Sequence, residues 1–220
     1  MQRNAVDFLR VSASNTRLLL FSLFLSASLP AQPSFSAPNP ARDQVVARAK
    51  QLMDTELLAL SDDITRHPEI GFEEYRSVKL LIESLEKHGF QVTQGVGTLK
   101  TAFVGRWKGN RGAPNLGVIL EYDALRGAKG AFHGDQHSAQ GPVGIAAAVA
   151  IAEYLDRSKL PGSVTVFGTP GEEMMPPEAK TEMFHAGAFT GMDIIVRTTR
   201  PAPPRVPRPA SAPAASTSMA

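Results

Sequence analysis

Between residues 44 and 196 the chain alternates helix-like segments with short apolar segments, and this alternation limits the folds it can adopt. Apolar side chains recur at helical spacing in the longer segments. The predicted helices cover residues 42–66, 73–88, 141–155 and 178–188. The predicted strands cover residues 90–93, 101–107, 116–122, 163–169 and 193–196. Strands alternating with helices are typical of an α/β fold, and we expect a mixed sheet flanked by helices.

Polar residues are concentrated in loops that follow the predicted strands. Residues 116–122 are apolar on both faces, as expected for an interior strand, and Asp123 follows them directly. A long loop then carries the polar segment 133–137, and the strand at 163–169 leads into residues 170–173. Functional groups of α/β sheets gather at the carboxyl ends of strands, so these loops are the candidate site.

The first candidate motif is the segment His133-Gly-Asp135-Gln-His137, which offers two imidazoles and a carboxylate within five residues. In an extended loop, side chains two residues apart point the same way, so Asp135 and His137 could meet one cation. Nitrogen and oxygen ligands of this kind suit zinc or manganese. The alternative is a solvated loop whose histidines bind nothing.

The second motif is the pair Glu172-Glu173, which follows an apolar strand and lies next to Pro170 and Gly171. Such a backbone directs the two carboxylates apart, so one could bind a metal ion while the other accepts a proton from water. The alternative is an ordinary surface pair. The chain contains no cysteine, which excludes disulfides, thiolate zinc sites and a cysteine nucleophile.

The two ends of the chain differ in composition from the middle. Arginines followed by the apolar run Leu18–Leu25 predict a signal peptide over residues 1–31, and so a secreted or periplasmic protein without a stable membrane span in its mature form. Residues 32–43 are interpreted as a linker, and the Pro- and Ala-rich residues 198–220 as a disordered tail. Because the positive formal charge of +2 comes from these ends, it does not indicate a nucleic-acid partner.

Several motifs occur in the order and spacing of one enzyme family. They lie at residues 67–74 (His-Pro-Glu-Ile-Gly-Phe-Glu-Glu), 89–92, 121–125 (Glu-Tyr-Asp-Ala-Leu), 133–137 and 169–173 (Thr-Pro-Gly-Glu-Glu). The chain resembles the N-terminal half of the M-twenty family of metallopeptidases and amidohydrolases, in the aminoacylase-like branch that includes aminobenzoyl-glutamate hydrolase. The resemblance implies a zinc-exopeptidase-like catalytic domain at residues 44–197. That domain would be incomplete, because the lid or dimerisation domain and the C-terminal half are absent.

The resemblance also implies roles for individual residues around two divalent metal ions, zinc or manganese. Glu172 matches the general base, while His137, Glu173 and Asp135 match metal ligands, Asp135 standing where this branch usually has cysteine. Asp123 and His133 match residues that support the ligands rather than bind metal. A further ligand histidine is expected after the strand at 193–196, but the chain has Arg197 there.

The expected activity is hydrolysis of the amide bond of a small-molecule or peptide-like substrate, of the acyl-amino-acid or aminobenzoyl-glutamate type. The alternative is a catalytically inactive fragment, or a binding-only remnant of such an enzyme. A homodimer is expected only if the missing domain is supplied.

Overall fold

The computed structural model describes residues 38–109, 111–174 and 178–198. The helices in these ranges are α1 (Pro40–Leu52), α2 (Leu58–Arg66), α3 (Tyr75–Lys87), α4 (His137–Arg157) and α5 (Ala179–His185), and a π-helical turn (Met53–Leu57) joins α1 to α2. The strands are β1 (Phe90–Val96), β2 (Leu99–Trp107), β3 (Asn115–Leu120), β4 (Leu125–Gly127), β5 (Gly130–Phe132), β6 (Ser163–Gly168) and β7 (Ile194–Arg197).

Five strands form one sheet in the order β1-β2-β6-β3-β7. β1, β2 and β6 pair antiparallel, whereas β6, β3 and β7 run parallel. The sheet is therefore mixed, as predicted. The chain leaves β3 for β6 on one side and later returns to β7 on the other side. Such a reversal of strand order marks the edge at which α/β sheets bind their ligands, here the carboxyl ends of β3, β6 and β7.

Apolar residues cover both faces of the sheet. The larger core lies between the sheet and helices α1 to α4 and includes Leu81, Leu120 and Val149, all nearly inaccessible to solvent. A smaller cluster on the opposite face joins Phe167 of β6 to Met183 of α5. Burial on both faces explains why the sequence of β3 and β6 is almost continuously apolar.

Small residues allow α4 to approach β3 closely. Gly144 lies directly over Leu120, and any side chain at position 144 would collide with that leucine. This contact places the first turn of α4 beside the carboxyl end of β3.

The structure differs from the sequence-based expectations in several places, of which three concern where elements begin or were missed. The first predicted helix begins at Pro40, inside the segment interpreted as a linker, because Asn39 caps it by accepting the backbone N–H of Arg42. α4 begins at His137, four residues before its predicted start. The loop predicted after β3 contains the short β4–β5 hairpin, whose strands are too short to show periodicity.

The predicted signal peptide, and the predicted tail apart from Thr198, lie outside the described residues. None of the helices in the described ranges is both long enough and apolar enough to cross a membrane.

Candidate metal centre

The structure brings together three residues that the sequence motifs place on two separate loops. Asp135 and His137 lie at the start of α4, and Glu173 follows β6. Each offers a ligand atom, and these atoms lie within 4.8 Å of one another. The alternating topology creates this cluster, because β3, β6 and the first turn of α4 all meet at the same edge of the sheet.

Asp135 and His137 are arranged by the start of a helix rather than by an extended loop, so that part of the sequence argument is wrong. Oδ1 of Asp135 accepts the backbone N–H of His137 at 2.9 Å and satisfies a free donor of the first helical turn. Oδ2 of Asp135 is buried without a hydrogen bond and lies 3.3 Å from Nδ1 of His137. A buried carboxylate oxygen without a donor is suited to a cation.

Asp123, directly after β3, orients two of the candidate ligands. The carboxylate of Asp123 is fully buried. Its Oδ1 lies 2.9 Å from Nδ1 of His137, and its Oδ2 accepts the backbone N–H of Glu173 at 2.8 Å. Burial alone would raise the pKa of Asp123, but the hydrogen bonds from His137 and Glu173 outweigh it and lower that pKa. Asp123 is therefore ionised, and a proton on Nδ1 of His137 leaves Nε2 available as a ligand.

The electrostatics of the three clustered residues indicate a place for positive charge. The facing carboxylate of Asp135, together with burial, raises the pKa of Glu173 to about 7. Burial lowers the pKa of His137, but its hydrogen bond to Asp123 and the charges of Asp135 and Glu121 prevail and raise it to about 9. One imidazole and two carboxylates form a donor set that fits a zinc or manganese ion.

Glu172, the residue matched to a general base, lies at the rim of the cluster. Its side chain is about one-third exposed, and its Oε2 lies 4.0 Å from Nε2 of His137. The backbone next to Gly171 predicts that the carboxylates of Glu172 and Glu173 point apart. In the structure Glu172 lies near the cations Lys180 and Arg197, whereas Glu173 lies with Asp135 and His137.

His133 does not join the three clustered residues. Its side chain is half-buried, and both ring nitrogens are buried without a hydrogen-bond partner. Burial lowers the pKa of His133 and outweighs the negative charge of Asp135, which would raise that pKa. Because His133 makes no hydrogen bond to Asp135, His137 or Glu173, the supporting role that the resemblance implies for it stays a prediction.

Sequence reasoning missed the ion pairs of Glu121, the first residue after β3. Its carboxylate is almost fully buried, with Oε1 lying 2.6 Å from Nζ of Lys180 and 2.8 Å from Nη1 of Arg197. Nε2 of Gln140 donates to Oε2. Burial alone would raise the pKa of Glu121, but Lys180, Gln140 and Arg197 outweigh it and lower that pKa. A glutamate at the end of a buried strand was the available signal.

Sequence reasoning also missed Glu74, which holds the turn before Glu172. One oxygen of its fully buried carboxylate accepts the backbone N–H of Gly171 at 2.8 Å, and the other accepts the Thr101 hydroxyl at 2.8 Å. Gly171 has a φ of 62°, and a side chain there would run into the ring of Phe72. The Pro-Gly-Glu-Glu turn is thus packed against the loop that precedes α3.

Comparison with known proteins supports the resemblance. No protein-family model matches the chain. The chain is 34% identical over 148 residues to a p-aminobenzoyl-glutamate hydrolase chain of Escherichia coli, covering 61% of this chain and 30% of that protein. It is 34% identical over 151 residues to the human Xaa-Arg dipeptidase, covering 62% of this chain and 34% of that protein.

Solved structures share the fold. An aminohydrolase from methicillin-resistant Staphylococcus aureus superposes with a TM-score of 0.60 at 21% identity, over 70% of this chain and 41% of that chain. A dinuclear metal-binding M-twenty peptidase from Bacillus subtilis superposes with a TM-score of 0.52 at 23% identity, over 68% and 42% of the respective chains. The chain is therefore similar in sequence to named hydrolases of peptide and amide bonds and shares its fold with an M-twenty peptidase, and it spans about a third of the length of the curated relatives it matches.

Proposed function

We propose that this chain carries the metal-binding part of a hydrolase that cleaves an amide bond in an acyl-amino-acid or aminobenzoyl-glutamate-type substrate. The observation that carries the proposal is the cluster of Asp135, His137 and Glu173, whose ligand atoms lie within 4.8 Å of one another beside Glu172. The names of the curated relatives support this substrate class, since one is an aminobenzoyl-glutamate hydrolase and another a dipeptidase.

In this proposal Asp135, His137 and Glu173 hold a zinc or manganese ion. When bound, such an ion supplies Lewis acidity that polarises a carbonyl group and lowers the pKa of water. Asp123 fixes the ring of His137 and the backbone of Glu173, so both ligands keep their positions without substrate. Zinc and manganese share these ligand types, so titration with each ion distinguishes them.

Glu172 acts as the proton acceptor. Its partly exposed carboxylate can meet a water molecule from solvent, accept its proton and return the proton to the leaving amine. Glu74 supports this role indirectly, because it fixes Gly171, the residue before Glu172.

A second candidate function is a catalytically inactive or binding-only protein. It is favoured by Arg197, which lies 3.4 Å from Glu172 where the resemblance leads us to expect a ligand histidine. This candidate keeps the metal site but predicts no turnover.

Isothermal titration with zinc and with manganese, together with hydrolysis assays on aminobenzoyl-glutamate and N-acyl amino acids, distinguishes the two candidates. We expect metal binding, and turnover that Glu172→Gln abolishes while metal affinity is retained. Glu83→Gln, on an exposed face of α3, is the matched control and should retain turnover. Metal binding without turnover would favour the second candidate, and folded protein that binds no metal would refute both.

We also propose, from residues 1–31 alone, that the protein acts outside the cytoplasm, and from its net negative middle segment that it has no nucleic-acid partner.

A further inference from the structure

Next to the candidate metal centre lies a second group of charges, in which the side chains of Lys180 and Arg197 carry the positive charge. The buried carboxylate of Glu121 is paired with Lys180 and with Arg197 through Oε1 and bonded to Gln140 through Oε2. Both of its oxygens are therefore occupied. Neither a guanidinium nor an ammonium group has a lone pair with which to bind a metal ion.

The same two cations reach the general-base candidate. Nη1 of Arg197 lies 3.4 Å and Nζ of Lys180 lies 4.0 Å from Oε1 of Glu172. From the opposite side, Nε2 of His137 lies 3.6 Å from Glu121 and 4.0 Å from Glu172. Glu121 and Glu172 thus have Lys180 and Arg197 as neighbouring cations, whereas the described residues place no lysine or arginine within ion-pair distance of Asp135 or Glu173.

We propose that this chain binds one divalent cation, held by Asp135, His137 and Glu173, and that Arg197 and Lys180 supply the positive charge that a second ion supplies in a dinuclear relative. This inference rests on the proposed metal site, and it differs from the two-ion centre that the family resemblance implies.

Charge and ligand chemistry both support a single ion. A second divalent cation on the side of the centre that faces Glu121 would lie within a few ångströms of the Arg197 guanidinium and the Lys180 ammonium group, and like charges at that distance repel. The carboxylate of Glu121, which lies on this side of the centre, is also occupied, because it is already bonded to three donors. In the described part of the chain, the strand end that would present a ligand histidine presents Arg197 instead.

The test is the metal-to-protein ratio after equilibrium dialysis against zinc, measured by inductively coupled plasma mass spectrometry and checked by isothermal titration. We expect one zinc per chain in the unaltered protein. Arg197→His, which replaces a cation by a neutral nitrogen ligand, should add a second and weaker equivalent. Arg197→Lys keeps the charge and should remain at one. Circular dichroism and thermal melting confirm that each variant is folded.

The outcomes separate this inference from the proposed function. Two zinc ions in the unaltered chain would overturn the one-ion centre and leave the proposed metal site standing. A ratio of one in both the unaltered chain and Arg197→His would overturn the role assigned to Arg197. No bound zinc in folded protein would overturn the metal site and, with it, this inference.

Discussion

Replacing Glu74 with glutamine should change how the free energy of unfolding depends on pH. Glu74 is fully buried, and burial raises its pKa from 4.5 to about 7 despite the hydrogen bonds to Thr101 and Gly171. The folded protein therefore binds this proton more tightly than the unfolded chain does. The stability that the proton contributes is complete below pH 4.5 and is lost as the pH rises through 7.

The size of this effect follows from the two pKa values. A rise from 4.5 to about 7 corresponds to roughly 3 kcal/mol of stability that is lost between these pH values. Glutamine has the shape of the protonated acid, keeps an acceptor for the N–H of Gly171 and carries no charge. Glu74→Gln should therefore match the unaltered protein near pH 4.5 and exceed its stability by about 3 kcal/mol at pH 8.

Urea denaturation of metal-free protein, followed by circular dichroism across this pH range, measures the difference directly. Glu83→Gln is the control, because the Glu83 side chain is more than half exposed and its change should have little effect at any pH. A difference between Glu74→Gln and the unaltered protein that stays constant with pH would refute the argument from burial.

Asp123→Asn should weaken zinc binding about 10–100-fold in isothermal titration, because Asp123 orients both His137 and Glu173; unchanged affinity would contradict this orienting role. Lowering the pH from 9 to 7 should weaken zinc binding about tenfold per pH unit, since His137, with a pKa of about 9, must lose its proton to bind metal; an affinity independent of pH would exclude this competition. Leu81→Ala should lower the free energy of unfolding by about 2–5 kcal/mol in urea denaturation, and a loss below about 1 kcal/mol would disagree with the core packing described. N-terminal sequencing of exported protein should find Gln32 first, and an uncleaved Met1 would contradict the signal-peptide interpretation.

The sequence predicts the sheet and the loops of the centre because both depend on local patterns. Continuous apolar runs mark β3 and β6, and the polar residues that follow them must lie at the carboxyl ends of those strands. This pattern of apolar runs and following polar residues was sufficient to predict that Asp135, His137 and Glu173 lie at one edge of the sheet.

The start of α4 was not predictable in the same way. Gly141 and Pro142 resemble a helix start, but the helix begins at His137, where Asp135 bonds its backbone N–H. The segment 133–137 is equally consistent with a loop, because the bond from the backbone N–H of His137 to Asp135 depends on where the β4–β5 hairpin places Asp135.

The supporting contacts of the centre were unpredictable because they join distant parts of the chain. Glu74 bonds Gly171 across 97 positions, and Arg197 reaches Glu121 across 76. No local pattern marks a glutamate as the partner of a particular turn or of an arginine at the end of a strand. These contacts exist only once the sheet order is set.

The central claim is that His137 binds a metal ion together with Asp135 and Glu173. X-ray absorption spectroscopy at the zinc edge of the zinc-loaded protein tests it most directly, because imidazole scattering reveals the number of histidine ligands. We predict a single imidazole at about 2.0–2.1 Å with oxygen ligands completing the shell, and loss of the imidazole signal in His137→Ala. Two imidazoles would add His133 to the centre, and an oxygen-only shell, or an unchanged spectrum in His137→Ala, would contradict the claim.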